Sequence, residues 1–113
     1  MKTLYIVIII TLVFIVLDII TGVIKSFKEK NYTSSSMREG LFHKCGSILC
    51  ILFGCLVDYT QKYVDIGVSI PITEIICIYI ILMEIGSNIE NICAINPDIL
   101  PDKIKKYFKK LSE

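Results

Sequence analysis

Three long apolar segments constrain this chain more than any other feature. They cover about residues 4–24, 41–58 and 70–90, and only a few polar side chains interrupt each of them. An α-helix rises about 1.5 Å per residue, so about 20 residues cross the roughly 30 Å hydrocarbon core of a bilayer. The segments therefore predict an all-α integral membrane protein with three transmembrane helices, in one domain over residues 1–113.

The composition agrees with a lipid environment. Apolar residues make up 54% of the 113 residues and charged residues 20%, whereas soluble domains average about 45–50% and about 25%. This excludes a soluble enzyme, a disordered chain and a nucleic-acid-binding module, and it makes the lipid bilayer the first expected partner. Lys2 before the first segment is also typical of a signal peptide, but the segment is too long and has no small-x-small cleavage site before Lys25.

The distribution of lysine and arginine predicts the topology. The loop 25–40 and the start of the second segment carry five basic residues, the tail 98–113 carries five, and Lys2 and Lys62 complete the twelve. Basic residues concentrate on the cytoplasmic side of membrane proteins. We therefore expect a multi-pass protein of the bacterial cytoplasmic (inner) membrane, with loop 25–40 and the C-terminus in the cytoplasm and the N-terminus outside.

The tail 98–113 has a different character from the apolar segments. Its apolar residues recur at helical spacing, and lysines fill most of the remaining positions. This pattern predicts a basic amphipathic helix on an anionic membrane surface, and a solvated helix end is the alternative. The surface-binding candidates are Lys103, Lys105, Lys106, Lys109 and Lys110.

Polar residues inside the apolar segments are the best candidates for function. An ionisable side chain at membrane depth costs about 2.5–3.5 kcal/mol on insertion scales, so it usually faces protein or water. Helical spacing aligns such residues on one face of the first segment (Thr11, Asp18, Gly22, Lys25) and of the third (Glu74, Cys77, Glu84, Asn88, Asn91). In the second segment, small residues recur every four positions (Gly46, Cys50, Gly54), which permits close helix approach.

These polar faces have two possible uses. They meet inside one molecule, with Asp18 paired to Lys44 or a similar group, or they face another copy or a water-filled lumen. Three short helices offer little interior for four carboxylates, Asp18, Glu74, Glu84 and Glu90, so we expect a homo-oligomer.

The residues predict no enzyme. His43 is the single histidine, the five cysteines include no CxxC pair, and no glycine-rich phosphate loop is present. We therefore expect no catalytic site, metal site or cofactor.

Two groups of residues resemble the toxin-secretion/phage-lysis holin family of Gram-positive bacteria and their phages. The first runs from Asp18-Ile-Ile-Thr21-Gly22 through Lys25, Ser34–Ser36, Gly40-Leu41 and Lys44 to Asp58. The second is the segment from Glu84 through Ser87 and Glu90 to Asn91, followed by Pro101 and the lysine-rich tail. Together they extend over most of the chain. Two features depart from the family pattern: the approach to Pro101 is longer, and no methionine between Met1 and Met37 offers a second start.

The resemblance implies a holin, which oligomerises in the cytoplasmic membrane and forms lesions that release an endolysin or a large protein toxin. It implies architectural roles for the matching residues, among them Thr21, Glu90 and Asn91. An endolysin or toxin would be a functional partner without necessary direct contact. The alternatives are an antiholin, a membrane adaptor that forms no pore, or a small multidrug transporter, although the last would need four spans.

Overall fold

Three long helices form the fold, as the apolar segments predict. In a computed structural model, α1 extends over Lys2–Glu29, α2 over Ser34–Gln61 and α3 over Ile72–Ile95. The structure describes residues 2–30, 33–67, 69–99, 101–104 and 106. Each helix is long and apolar enough to cross a membrane. The prediction of an all-α membrane protein is confirmed.

The helices continue through most of residues 25–40, the stretch that the sequence predicts as the cytoplasmic loop between the first two spans. Only residues 30–33 separate α1 from α2, and the backbone at Lys30 turns with φ 54°. Thr33 then caps α2, since its Oγ1 accepts a hydrogen bond from the Ser36 amide at 3.2 Å. A helix of 28 residues is about 42 Å long, so its polar ends remain helical beyond the hydrocarbon core.

α3 is the central helix of the bundle. It runs parallel to α1 and antiparallel to α2, and it packs against both, whereas α1 and α2 touch at few points. The buried apolar core is small and consists of Ile15, Ile51, Cys77 and Ile80. Five of the described polar residues are also buried: Thr11, Thr21, Thr73, Glu84 and Asn88.

The outer surface is apolar, with exposed side chains such as Ile9, Val13, Leu52, Phe53 and Ile78. A monomeric soluble protein rarely exposes a contiguous apolar patch larger than a few hundred Å². The molecule is therefore polar inside and apolar outside, the arrangement that a lipid solvent favours. The protein is embedded in a membrane.

Charged side chains from α1 and α2 close both ends of α3. At its start, the Asp58 carboxylate accepts hydrogen bonds from the amides of Ile72 (2.9 Å) and Thr73 (3.0 Å). At its end, the Lys28 ammonium donates to the carbonyls of Ala94 (2.7 Å) and Ile95 (2.8 Å). An anion at the N-terminus and a cation at the C-terminus both complement the helix dipole. These contacts fix α3 lengthwise between its two neighbours.

The tail is described only in part. Residues 102–104 and Lys106 are helical, and Lys103 and Lys106 are exposed. Lys105, Lys109 and Lys110 lie outside the described residues, as does most of the predicted amphipathic helix 98–113, which stays a prediction.

Candidate functional site

A buried ion cluster joins the three helices. The Lys44 ammonium of α2 forms an ion pair with Asp18 Oδ2 of α1 and lies 2.7 Å from both carboxylate oxygens of Glu84 in α3. The exposed fractions of these side chains are 17% for Lys44, 12% for Asp18 and 6% for Glu84. Two carboxylates thus share one ammonium inside the bundle. The pairing of Asp18 with Lys44, one of the two uses that the sequence leaves open for the polar faces, is present, and Glu84 joins it.

Amide and hydroxyl groups surround the cluster. The Asn91 amide donates to Asp18 Oδ1 at 2.9 Å and to Thr21 Oγ1 at 3.0 Å. The Asn88 amide donates to the carbonyls of Glu84 (2.7 Å) and Phe14 (3.3 Å). The Thr21 hydroxyl also donates to the Leu17 carbonyl of its own helix at 2.9 Å. Buried polar groups of this kind are expected to have hydrogen-bond partners, and this network supplies them.

The cluster lies close to the middle of each helix. Glu84 is the thirteenth of 24 residues in α3, Asp18 the seventeenth of 28 in α1 and Lys44 the eleventh of 28 in α2. The apolar segment 4–24 would put Asp18 near one end of its helix, but α1 continues to Glu29. The three charged groups therefore lie inside the apolar segments of their helices, each toward the end nearest residues 30–33, at a depth where unpaired charge is costly.

The polar faces of α1 and α3 meet along much of the bundle. Thr11 is completely buried, with its hydroxyl donating to the Val7 carbonyl at 2.7 Å. Gly22 lies near Asn91, since a Cβ at position 22 would be 3.7 Å from the amide nitrogen of that residue. Cys77 is completely buried in the apolar core. Lys25 is half-buried.

Two carboxylates of α3 stay outside this interface. Glu74 and Glu90 are exposed, while Thr73 is completely buried. Thr73 precedes Cys77 by four residues and Glu84 by eleven, so it shares their helix face, and Glu74 lies about 100° further around. The spacing in the sequence predicts Glu74 on the polar face of α3, whereas the structure buries its neighbour Thr73 and leaves Glu74 exposed.

The small residues of α2 separate in the same way. Gly54 is buried, and a Cβ there would lie 3.0 Å from Ile76 Cδ1 and 3.1 Å from Thr73 Cα. Gly46 and Cys50 are exposed, and a Cβ at Gly46 would meet nothing within 4 Å. Residues four positions apart are rotated by about 40° around a helix. Gly46 and Gly54 are eight positions apart, so Gly46 lies on the outer surface of α2 while Gly54 lies on the inner one.

Two interactions were not predicted as site contacts: the Asp58 cap on α3 and the Lys28 contact with its last carbonyls. In the sequence, Asp58 is the residue that ends the second apolar segment and the first group of residues that resemble the holin family. A carboxylate shortly before a helix start, and a lysine at the level of a helix end, are the signals for such contacts. Neither signal identifies which helix is capped.

Comparison with known proteins gives one family and one relative. The family model described as "Bacteriophage holin family" matches residues 2–113. A protein of Clostridium perfringens, described as "Uncharacterized 14.9 kDa protein in nagH 3'region", is 34% identical over 101 residues, which are 89% of this chain and 73% of the relative. No solved structure matches the chain.

Proposed function

The chain belongs to the bacteriophage holin family, and from this premise we propose that it accumulates in the bacterial cytoplasmic membrane and oligomerises into lesions. These lesions would release an endolysin during phage lysis, or a large protein toxin. The match over residues 2–113 carries the proposal, because it includes all three helices and the tail. We further propose that the N-terminus is outside and the C-terminus is cytoplasmic, as the lysine distribution predicts.

The structure of the monomer supports this role physically. Its outer surface is apolar and stable in lipid, while its polar residues are collected on the inner faces of the helices. A helix bundle with such an interior can exist as a monomer and yet supply hydrated side chains if the helices repack around a lumen. Asp18, Lys44 and Glu84 are then the charged side chains that would line such a lumen.

Controlled expression in a bacterium tests the proposal directly. The chain is induced with and without a co-expressed endolysin, and growth, membrane potential and release of a cytoplasmic enzyme are recorded. A holin gives abrupt growth arrest with loss of potential, and lysis only when the endolysin is present. Harmless accumulation in the membrane contradicts the proposal and supports an antiholin or a non-pore adaptor.

The role of the ion cluster is tested by Glu84→Leu, with Glu90→Leu as its matched control. Both residues lie on α3, but Glu84 is buried in the cluster and Glu90 is exposed. We expect Glu84→Leu to delay or abolish lysis, as we expect for Asp18→Leu, and Glu90→Leu to retain the timing. Normal timing in Glu84→Leu and Asp18→Leu at equal protein levels would show that the cluster has no part in lesion formation.

A further inference from the structure

A groove separates the halves of α1 and α2 that flank the 30–33 turn. Its volume is about 400 Å³, and it extends from the region of Ser36 at one end to Asp18 and Lys44 at the other. Ser26 of α1 and Asn91 of α3 also line it. Residues 18 and 29, which line its two ends on α1, are separated by 11 residues, or about 16 Å along the helix.

Glycine keeps this groove open. Gly22 and Gly40 line it from opposite helices, and a Cβ at Gly40 would meet nothing within 4 Å. A Cβ at Gly22 would meet only Asn91, at the ordinary contact distance of 3.7 Å. Larger side chains at these two positions would enter the open space instead of colliding with the neighbouring helix.

The bundle is closed on the other side of the ion cluster. The apolar core residues precede Asp18 in α1 (Ile15), follow Lys44 in α2 (Ile51) and precede Glu84 in α3 (Ile80). All three therefore lie away from the 30–33 turn. The three helices consequently pack together beyond the ion cluster, whereas α1 and α2 separate on the side of residues 30–33.

The exposure of the charged groups follows the same asymmetry. Asp18 and Lys44, the two cluster members that line the groove, have exposed side-chain fractions of 12% and 17%. Glu84 does not line the groove, and its fraction is 6%. Charged groups inside a membrane usually face water or protein, and 400 Å³ accommodates about a dozen waters at roughly 30 Å³ each.

We propose that this groove is a water-filled vestibule, open on the side of the membrane where residues 30–33 lie. It ends at the Asp18–Lys44 pair, and the apolar core closes it beyond that point. The monomer thereby contains part of an aqueous path before any assembly occurs. The inference requires a membrane-spanning chain but no lesion, so it stands or fails separately from the proposed function.

Cysteine labelling tests the vestibule in the full-length chain. The five native cysteines, all free, are replaced by alanine, and single cysteines are introduced in the groove (Gly22→Cys, Ser26→Cys) and on the lipid face (Ile24→Cys). A membrane-impermeant cationic methanethiosulfonate is applied to either side of sealed vesicles, and Ser34→Cys reports which side residues 30–33 occupy. Retained helix content and membrane insertion identify the variants that are compared.

The vestibule predicts that Gly22→Cys and Ser26→Cys react at least tenfold faster than Ile24→Cys, and only from the side that labels Ser34→Cys. Ile24 is a strict control, because it is nearer to the 30–33 turn than Gly22 and yet 47% exposed on the outer surface. A second substitution, Gly40→Leu, should slow labelling at position 22 by tenfold or more. Gly46→Leu, on the outer face of the same helix, should leave it unchanged.

Three results would overturn the inference. Equal rates at positions 22 and 24 would show that lipid chains fill the groove. Labelling at position 22 from the opposite side would show that the apolar core does not close the path. An equal effect of Gly40→Leu and Gly46→Leu would show that the groove is not the route of the reagent.

Discussion

Replacing Lys44 by methionine should destabilise the bundle more than the same replacement at any other lysine. Methionine keeps the length of the side chain but removes the ammonium that contacts Asp18 and both Glu84 oxygens. Removing one partner of a buried ion pair costs about 3–5 kcal/mol, because the remaining charge is left unpaired. Here two carboxylates lose their cation together, although hydration through the groove would reduce the loss at Asp18.

The thiol of Cys77 offers a direct assay for this loss. Cys77 is completely buried in the apolar core, so it reacts only when the bundle opens. In a chain that keeps Cys77 as its single cysteine, a loss of 3–5 kcal/mol corresponds to labelling that is roughly 100- to 4,000-fold faster, at about 1.4 kcal/mol per tenfold. The rate is measured in lipid nanodiscs with a small neutral thiol reagent.

Two controls decide whether the ion cluster is responsible. Lys62→Met, at an exposed lysine just after α2, should change the rate by no more than about twofold, since surface substitutions usually stay within about 0.5 kcal/mol. In the background Asp18→Asn, Glu84→Gln, the Lys44 ammonium has no carboxylate partner in the cluster, so the same Lys44→Met change should leave the labelling rate unchanged or slow it. An effect below tenfold in the native background, or an equal effect in both backgrounds, would refute the reasoning.

Two further predictions concern the packing of α3 and use the same Cys77 assay. Asp58→Ala removes the acceptor of the Ile72 and Thr73 amides, so we expect the bundle to lose about 0.5–2 kcal/mol of stability. Asp58→Asn keeps one acceptor oxygen and should lose less. Unchanged stability in Asp58→Ala would show that water replaces the cap. Gly54→Ala places a methyl group 3.0–3.3 Å from Ile76 and Thr73 and should cost about 1–3 kcal/mol through overpacking. Gly46→Ala places its methyl group in open space and should gain up to about 1 kcal/mol of stability from helix propensity. A Gly46→Ala variant less stable than Gly54→Ala would contradict the observed packing.

The sequence predicted the number of helices and offered the main ion pair as one of two alternatives, for physical reasons that remain valid in the structure. About 20 apolar residues in succession need a membrane, and a carboxylate and a lysine inside such segments need each other. The segment boundaries are a different matter, because hydropathy locates the hydrocarbon core and not the end of the hydrogen-bonded helix. Residues 25–29 and 34–40 are mostly polar and lie outside the apolar segments, yet they are helical.

The choice of inward-facing residues could not be read fully from spacing. Thr73 and Glu74 are neighbours, and the rotation of α3 alone decides that threonine is buried and glutamate exposed. From the sequence alone, Glu84 could face a lumen, another copy or Lys44, because its position on α3 does not show which residues of α2 lie level with it. Helix rotation and relative depth depend on contacts along all three helices, and those contacts involve residues far apart in the sequence.

The closed cluster changes the physical account of assembly. On the sequence alone, surplus carboxylates favour self-association, because a monomer seems to lack partners for them. In the structure, Asp18, Lys44 and Glu84 satisfy one another, and the exposed carboxylates Glu74 and Glu90 lie toward the ends of α3. Each buried carboxylate therefore already has a cationic partner inside the monomer, although the two carboxylates together outnumber the single ammonium by one charge.

A lumen lined by the cluster must then form at a cost. Opening the bundle separates Lys44 from at least one carboxylate, and only water or a neighbouring copy can compensate that loss inside the membrane. A protein with this property would persist as separate closed bundles at low density and convert when contacts between copies, or water entering from the groove, replace the internal pair. The triple variant Lys44→Met, Asp18→Asn, Glu84→Gln removes these charges without leaving any of them unpaired. We expect it to delay membrane permeabilisation, as for Glu84→Leu, because a lumen lined by these positions needs hydrated charges. An earlier onset at equal protein levels would show instead that the cluster serves only to hold the monomer closed.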